Sequence, residues 1–401
     1  MSDLSWRTAP LSLLVDRVVG GGTPPRGVVA YWQGDIPWVS VKDMPEEATH
    51  ISATQEHISS GALSGSAVNL VHAGTPIVCT RMAVGRCAIP GTDMAINQDL
   101  KALYCGDSVD ERYVLHCLNL LHPKIESVAT GSTVKGISSS DILDFEIGVP
   151  SLPEQRRIAE ILDTVDANIR STERLIAKLE QTKQGIIRDV FTRYIDQGTV
   201  ATRKLVEIAD VSRGRFTPRP RNDPRFYVGE HLFIQTGDVA NAEGNTIYNA
   251  SQTLNELGAS VSRKFPAGTV AVTIAANIAD TAILGCSMYF PDSLVGVTPK
   301  SGYVPRYIEL CIRRMKPVLE SQAPQSAQRN INLQDIFPLS IPELDIEIQS
   351  NIANIYDEWH AEEERQHAEL AKLRKLKQGL MDDLLTGRVR VNVDAEETTT
   401  S

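Results

Sequence analysis

The chain of 401 residues carries 40 basic and 50 acidic side chains, a net charge of −10, and is 42% hydrophobic and 22% charged. That length allows two to three domains with sizeable cores, and the composition excludes a fibrous or wholly disordered chain, apart from a polar tail beyond Asp394. No window approaches the roughly 18 consecutive apolar residues of a membrane span, and an N-terminus carrying Asp3, Arg7, Asp16 and Arg17 does not read as a signal peptide.

Residues 1–153 read as a mixed α/β domain. Ile36–Val41 and Thr75–Thr80 are short apolar runs bounded by Gly, Pro and Asp, as strands are, and Glu111–Leu121 reads as a helix. Residues 154–193 read as one long helix. Alternate steps of four and three select Ile158, Leu162, Val165, Ile169, Thr172, Ile176, Leu179, Lys183, Ile186 and Val190, eight of ten apolar, which is the seam of a coiled coil. At about 1.5 Å per residue such a helix spans roughly 60 Å. Residues 194–347 form a second α/β domain with strand-like Leu232–Gln235 and Thr269–Ile274 and a helix over Pro305–Met315. Residues 348–387 form a second rod whose seam is Ile352, Tyr356, Trp359, Glu363, Gln366, Leu370, Leu373, Lys377, Leu380 and Leu384, followed by a tail, 388–401.

The second half repeats the first at an offset of 194 residues. Leu175–Gly185 returns as Glu369–Gly379; Arg112, Tyr113, Cys117 and Pro123 return as Arg306, Tyr307, Cys311 and Pro317; Gln155 and Asp163 return as Gln349 and Asp357. At the front of each copy the matches thin to Gly20, Thr23, Pro24, Gly74 and Thr75 against Gly214, Thr217, Pro218, Gly268 and Thr269. Both seams turn polar at equivalent places, Thr172 with Gln366 and Lys183 with Lys377. A polar seam residue costs stability and can fix register. Antiparallel rods would give a dumbbell with a pseudo-two-fold axis, an α+β architecture of two globular domains on a helix pair.

The motifs of catalysis are missing. There is no G-x-x-x-x-G-K-[ST], H-E-x-x-H, G-x-S-x-G or strand-borne G-x-G-x-x-G, and no Asn or Asp followed by Pro-Pro and an aromatic residue. Asp99-Leu100-Lys101 with Asp93 is a weak nuclease-like fragment, because the second copy has Ser293-Leu294-Val295 opposite 99–101 and Asp93 lies too near in sequence for the usual arrangement. No metal set is expected. Cys79, Cys87, Cys105, Cys117, Cys286 and Cys311 form no C-x-x-C and read as buried thiols in a reducing cytoplasm.

The negative net charge argues against a nucleic-acid partner until it is divided. The four segments 1–153, 154–193, 194–347 and 348–401 carry −6, +1, −1 and −4. Within the third, Arg203, Lys204, Arg213, Arg215, Arg219, Arg221 and Arg225 face only Glu207, Asp210 and Asp223. A phosphate backbone responds to that local field.

Gly21-Gly22-Thr23-Pro24-Pro25-Arg26 followed by Tyr31–Val39 resembles the opening of the specificity (S) subunit of type I restriction-modification systems. Leu152–Ala159 at the start of the first rod and Leu384–Val391 at the end of the second are similar to that family too. The second rod departs from the pattern, entering through Ile346-Glu347-Ile348-Gln349. The resemblance covers almost the whole chain. It implies two target recognition domains, each reading one half of a split double-stranded DNA sequence, and a helix pair that sets the unread gap. It further implies a non-catalytic chain on which two modification (M) subunits dock, with S-adenosylmethionine bound by them for adenine methylation and no cofactor on this chain; restriction (R) subunits can join.

Arginine pairs with phosphate or grips guanine bidentately, and both need loops that reach a groove. In the first domain the candidates are Arg81 and Arg86, set around Gly85, and Lys135. In the second they are Arg213, Arg215, Arg219 and Arg221, with Arg263, Lys264 and Arg329 behind them. The alternative class is an adaptor that joins proteins through duplicated heads and a coiled-coil bar without reading DNA.

Overall fold

The computed structural model describes residues 6–46, 49–131, 135–192, 200–275, 278–322 and 330–393, without the side chains of 186, 187, 190, 191 and 322. The chain divides into two compact units, Met1–Ala177 with Arg365–Ser401, and Lys178–Glu364. The long helices Leu152–Phe191 and Ile346–Leu384 each contribute to both. Their first residues are 194 positions apart, so the departure at Ile346–Gln349 leaves the start of the second helix in register.

Each unit contains the same three sheets. In the first, a five-stranded sheet runs in the order Val15–Gly20, Leu100–Cys105, Ile77–Cys79, Cys87–Pro90, His50–Ile51, with only the last pair parallel. A four-stranded sheet runs Glu56–Ile58, Ile36–Val39, Met94–Ile96, Asn69–Val71, and Arg7–Pro10 pairs with Glu146–Val149. The second unit repeats the orders with Ala209–Arg213, Leu294–Pro299, Val270–Thr273, Thr281–Leu284, Thr246–Ile247, and with Gln252–Leu254, Tyr227–Phe233, Met288–Phe290, Arg263–Phe265. Thr202–Lys204 pairs with Ser340–Pro342. The chain is thus a mixed helix–sheet protein with an internal repeat, as its sequence indicates. The helices expected at Glu111 and Pro305 run Glu111–Val128 and Pro305–Arg314.

The front of the repeat needs a correction. In the ladders, Val15 sits opposite Cys105 and Arg17 opposite Tyr104, so Asp16 is an extra residue in a β-bulge. Ala209–Arg213 has no such irregularity. From Arg17 onward the equivalence therefore slips by one: Gly20 faces Lys101 as Arg213 faces Val295. The structural partner of Gly214 is Gly21 rather than Gly20. A Cβ on Gly21 would meet the Ile96 carbonyl oxygen at 2.1 Å, and one on Gly214 the Pro291 carbonyl oxygen at 2.1 Å, whereas Gly20 meets only the lysine tip of Lys101.

At its foot each rod is tied to the domain ahead of it by contacts that recur at the repeat offset. Gln155 Oε1 accepts from the Asp110 amide at 2.9 Å and its Nε2 donates to the Pro150 carbonyl at 3.0 Å; Gln349 does the same with Val304 at 3.0 Å and Leu344 at 2.8 Å. The Tyr113 hydroxyl donates to the Gly148 carbonyl and that of Tyr307 to the Pro342 carbonyl. Arg112 reaches Asp163 at 3.1 Å, and Arg306 reaches Asp357 at 2.7 Å. Burial tends to raise the Asp163 carboxyl, but bonds from His116 and the charge of Arg112 outweigh it and hold it below the usual range.

The seam residues pack within each unit. In the first, Val165, Ile169 and Ile176 cluster with Leu370, Leu373 and Leu380, while Ile158 and Leu162 join the domain core with Leu384. In the second, Ile352 and Tyr356 pack on the core of residues such as Tyr307, Trp359 is half-buried and Leu179 is buried. The side chains of Ile186 and Val190 lie outside the described residues. Both seam lysines are partnered: Lys377 Nζ lies 2.6 Å from Asp166, and Lys183 contacts Glu363. Lys377 and Asp166 are only 15% and 4% exposed, so removing one partner strands a buried charge. Asp166→Ala should lower unfolding free energy by about 3 kcal/mol, whereas Glu160→Ala, which breaks the exposed pair with Arg157, should cost less than about 1 kcal/mol; denaturant titration separates the two.

Candidate nucleic-acid interface

The arginine run of the second domain is an edge extension held by alternation. Along 213–217 the exposed Arg213, Arg215 and Thr217 alternate with the buried Gly214 and Phe216, the period of an extended strand. Gly214 donates its amide to the Leu294 carbonyl at 2.8 Å, and Arg215 donates to Phe290 at 3.0 Å. Phe216 is 3% exposed and packs against the rings of Phe226, Tyr227 and Phe233. With the inner face anchored, the arginines point outward.

Six of the sequence candidates meet here. The Arg263 guanidinium donates to the Arg213 carbonyl at 2.8 Å, its amide donates to the Arg215 carbonyl at 3.2 Å, and Lys264 is the next residue on that strand, exposed, with Nζ 5.9 Å from the Tyr289 ring centre. Arg219 and Arg221 share one carboxylate, Asp292, at 3.5 and 2.7 Å. The Arg213 side chain donates to the Asp292 carbonyl. Arg225 is spent locally: its forked bonds hold the Asp223 carboxyl below the usual range. A few steps on, the strand Tyr227–Phe233 bulges, since Tyr227 and His231 both pair with Leu254, and Val228 is left 89% exposed. Arg329 lies outside the described residues; the next residue but one to the gap, Ile331, follows Asn330, which bridges Ala275.

In the first domain the structure joins Arg81 to Lys135 and separates both from Arg86. Arg81 bridges Gly136, and the amide of Met82 donates to the Lys135 carbonyl at 3.1 Å. This bridge is the equivalent of Ala275 with Asn330, 194 residues on. Arg86 instead lies half-buried against Glu46 at 2.7 Å. Beside Arg81 opens a cleft of about 850 Å³ lined by Met82, Gln98, Asp99, Val128, Thr130, Gly136, Ile137, Ser138 and Asp141. Asp93 closes a turn with the Ala73 amide and His72, which holds its carboxyl below the usual range.

Two features escaped the sequence. Arg26 stacks on Trp32, 3.7 Å from its ring centre, and pairs with Glu56. Asp292, which gathers the arginines, lies 71 residues from Arg221. The first could have been suspected from aromatic spacing after the glycines, the second only from tertiary contact. All six cysteines are free; four are buried, while Cys105 and Cys286 are half-buried. Burial pushes the Cys79, Cys117 and Cys311 thiols up to about 12, which makes them inert. Among the described residues no helix is long and apolar enough to cross a membrane.

A sheet module built twice, each copy tied to the foot of a long helix and each carrying exposed cationic residues, defines a class of duplicated helix-and-sheet proteins. The chain belongs to the type I restriction modification DNA specificity domain family, whose model matches residues 15–181 and again 197–373. It is 29% identical over 209 residues to the Type I restriction enzyme EcoR124I/EcoR124II specificity subunit of Escherichia coli, covering 50% of each chain. It is 27% identical over 180 residues to the MjaIX specificity subunit of Methanocaldococcus jannaschii, covering 44% of this chain and 42% of that one. The chain thus spans about half the length of these curated relatives. Its fold is similar to the crystal structure of the type I restriction-modification S subunit from M. genitalium, with a TM-score of 0.66, 13% identity and 96% and 97% of the two chains covered. It is also similar to a chain solved for complex assembly and conformational transition of the type I R-M system, with a TM-score of 0.58, 16% identity and 96% and 98% coverage.

Asp292 sets the strength of the arginine cluster by cancelling part of its charge. Asp292→Asn should steepen the salt dependence of DNA binding by the full chain by about one unit of log K per log salt; an unchanged slope would place the cluster away from phosphate.

Proposed function

We propose that this chain is the DNA-specificity subunit of a type I restriction-modification complex. Each sheet domain reads one half of a split duplex sequence, and the helix pair sets the gap between the halves. The observation that carries this reading is the contrast within the repeat: the contacts at the rod feet recur residue for residue, while the exposed edges differ, with Arg81 where the second copy has Ala275 and Arg213 where the first has Gly20. Two like scaffolds with unlike edges suit two half-sites of different sequence.

The chain does no chemistry in this proposal. Two modification subunits dock on the repeated helices and carry S-adenosylmethionine for adenine methylation; restriction subunits join the same assembly in the cytoplasm. A repeated pair of faces is what two copies of one partner need. The relatives are named as specificity subunits, which supports the assignment.

Reversal of Arg215, Arg219 and Arg221 together to Glu should abolish sequence-specific methylation by the assembled complex while co-purification of the subunits persists. Full methylation by that variant would remove the cluster from DNA reading. An adaptor would instead show no salt-dependent DNA binding with its partners present.

A further inference from the structure

Met82 is a large apolar side chain that the fold holds out of its core. It is 64% exposed, and its φ of 65° lies in the left-handed region, which a residue with a Cβ enters at a cost. Its neighbours close a three-residue turn around it, the Ala83 amide donating to the Arg81 carbonyl at 2.8 Å. Turns of this kind at positive φ are rare and strained. From the other side the Met82 amide is fastened to the Lys135 carbonyl at 3.1 Å, and Arg81 bridges Gly136. The side chain is exposed on the wall of the cleft that Arg81 also lines, and the exposed Lys135 is joined to the same turn through its backbone.

Folding does not account for a methionine at this place. Glycine adopts such a backbone without strain, and an exposed thioether buries little apolar surface on the protein itself. The two carboxylates of the cleft do not explain it either: Asp141 caps a short helix with Ser138, and Asp99 accepts from the Gln98 side-chain amide at 3.2 Å. What remains is an exposed apolar side chain on a turn that carries one exposed cationic residue, Arg81, and is bonded to another, Lys135. In the DNA major groove the matching surface is the C5 methyl of thymine, the one apolar group on a base edge, with phosphates on either side.

We infer that Met82 is a base-reading residue of the first domain, its side chain resting on the C5 methyl of a thymine in the first half-site while Arg81 and Lys135 take flanking phosphates. The inference rests on the DNA-reading function proposed above.

The test replaces thymine by uracil, which lacks only that methyl, one position at a time across the first half-site, and measures methylation by the assembled complex. Wild type should prefer thymine at one position by about tenfold. Met82→Gly should lose that preference and melt no lower than wild type, because it relieves the strained backbone; Met82→Leu should keep most of the preference. Equal rates for thymine and uracil at every first-half position in wild type, or an undiminished preference in Met82→Gly, would overturn the role of Met82 alone. Methylation by wild type without any sequence preference would overturn the proposed function, and this inference with it.

Discussion

The side-chain amide of Gln155, and 194 residues later that of Gln349, fastens the first turn of a long helix to the sheet domain that precedes it. Each amide donates and accepts at once, so it satisfies a helix-entry carbonyl and a loop amide together. The ties are buried, with Gln155 and Gln349 each 1% exposed, and a buried polar group left unpaired costs about 1–3 kcal/mol. The tyrosine hydroxyl and the arginine–aspartate pair on either side make the joint a multi-point one. A domain fixed in this way cannot swivel on its rod without breaking several bonds at the same time. Its edge residues are then held in a set direction relative to the helix beneath them.

Beyond these shared bonds the copies are free to differ, even beside the joint, and they do so by distinct physical means. In the first, His116 is fully buried with Nε2 on Asp163; in the second, Glu309 is fully buried between Arg306, Arg313 and Thr281. One bulged residue, Asp16, shifts the first domain's loop relative to its counterpart. The second domain places arginines on its outward period, whereas the first places glycines at the matching positions and moves its cations to Arg81 and Lys135. The same scaffold thus offers two different chemical surfaces.

The rods were legible in the sequence because an apolar period of 3.5 residues, sustained over many turns, is the mark of helices that pair along a seam. Lys183 and Lys377 were visible as polar seam positions, but their partners were not. The lysines are repeat-equivalent, while Asp166 and Glu363 are not: the residue equivalent to Asp166 is His360, a turn before Glu363. The joint residues were visible as matches without a stated reason, which the contacts at Gln155, Tyr113 and Arg112 now supply. The edges were least legible. Spacing around Gly85 grouped Arg81 with Arg86, yet the turn at Met82 and the pull of Glu46 send them different ways. Simple offset paired Gly20 with Gly214, and a bulge that leaves no mark in composition moved the true partner to Gly21.

The central proposal is that the chain carries two unlike readers, each fixed at the foot of a long helix. Genome-wide mapping of adenine methylation in the host, with and without this gene, tests it most directly. The account predicts the disappearance of one motif made of two specified halves around a gap of fixed length. A lost motif that is continuous, or a methylation map that does not change, would contradict it.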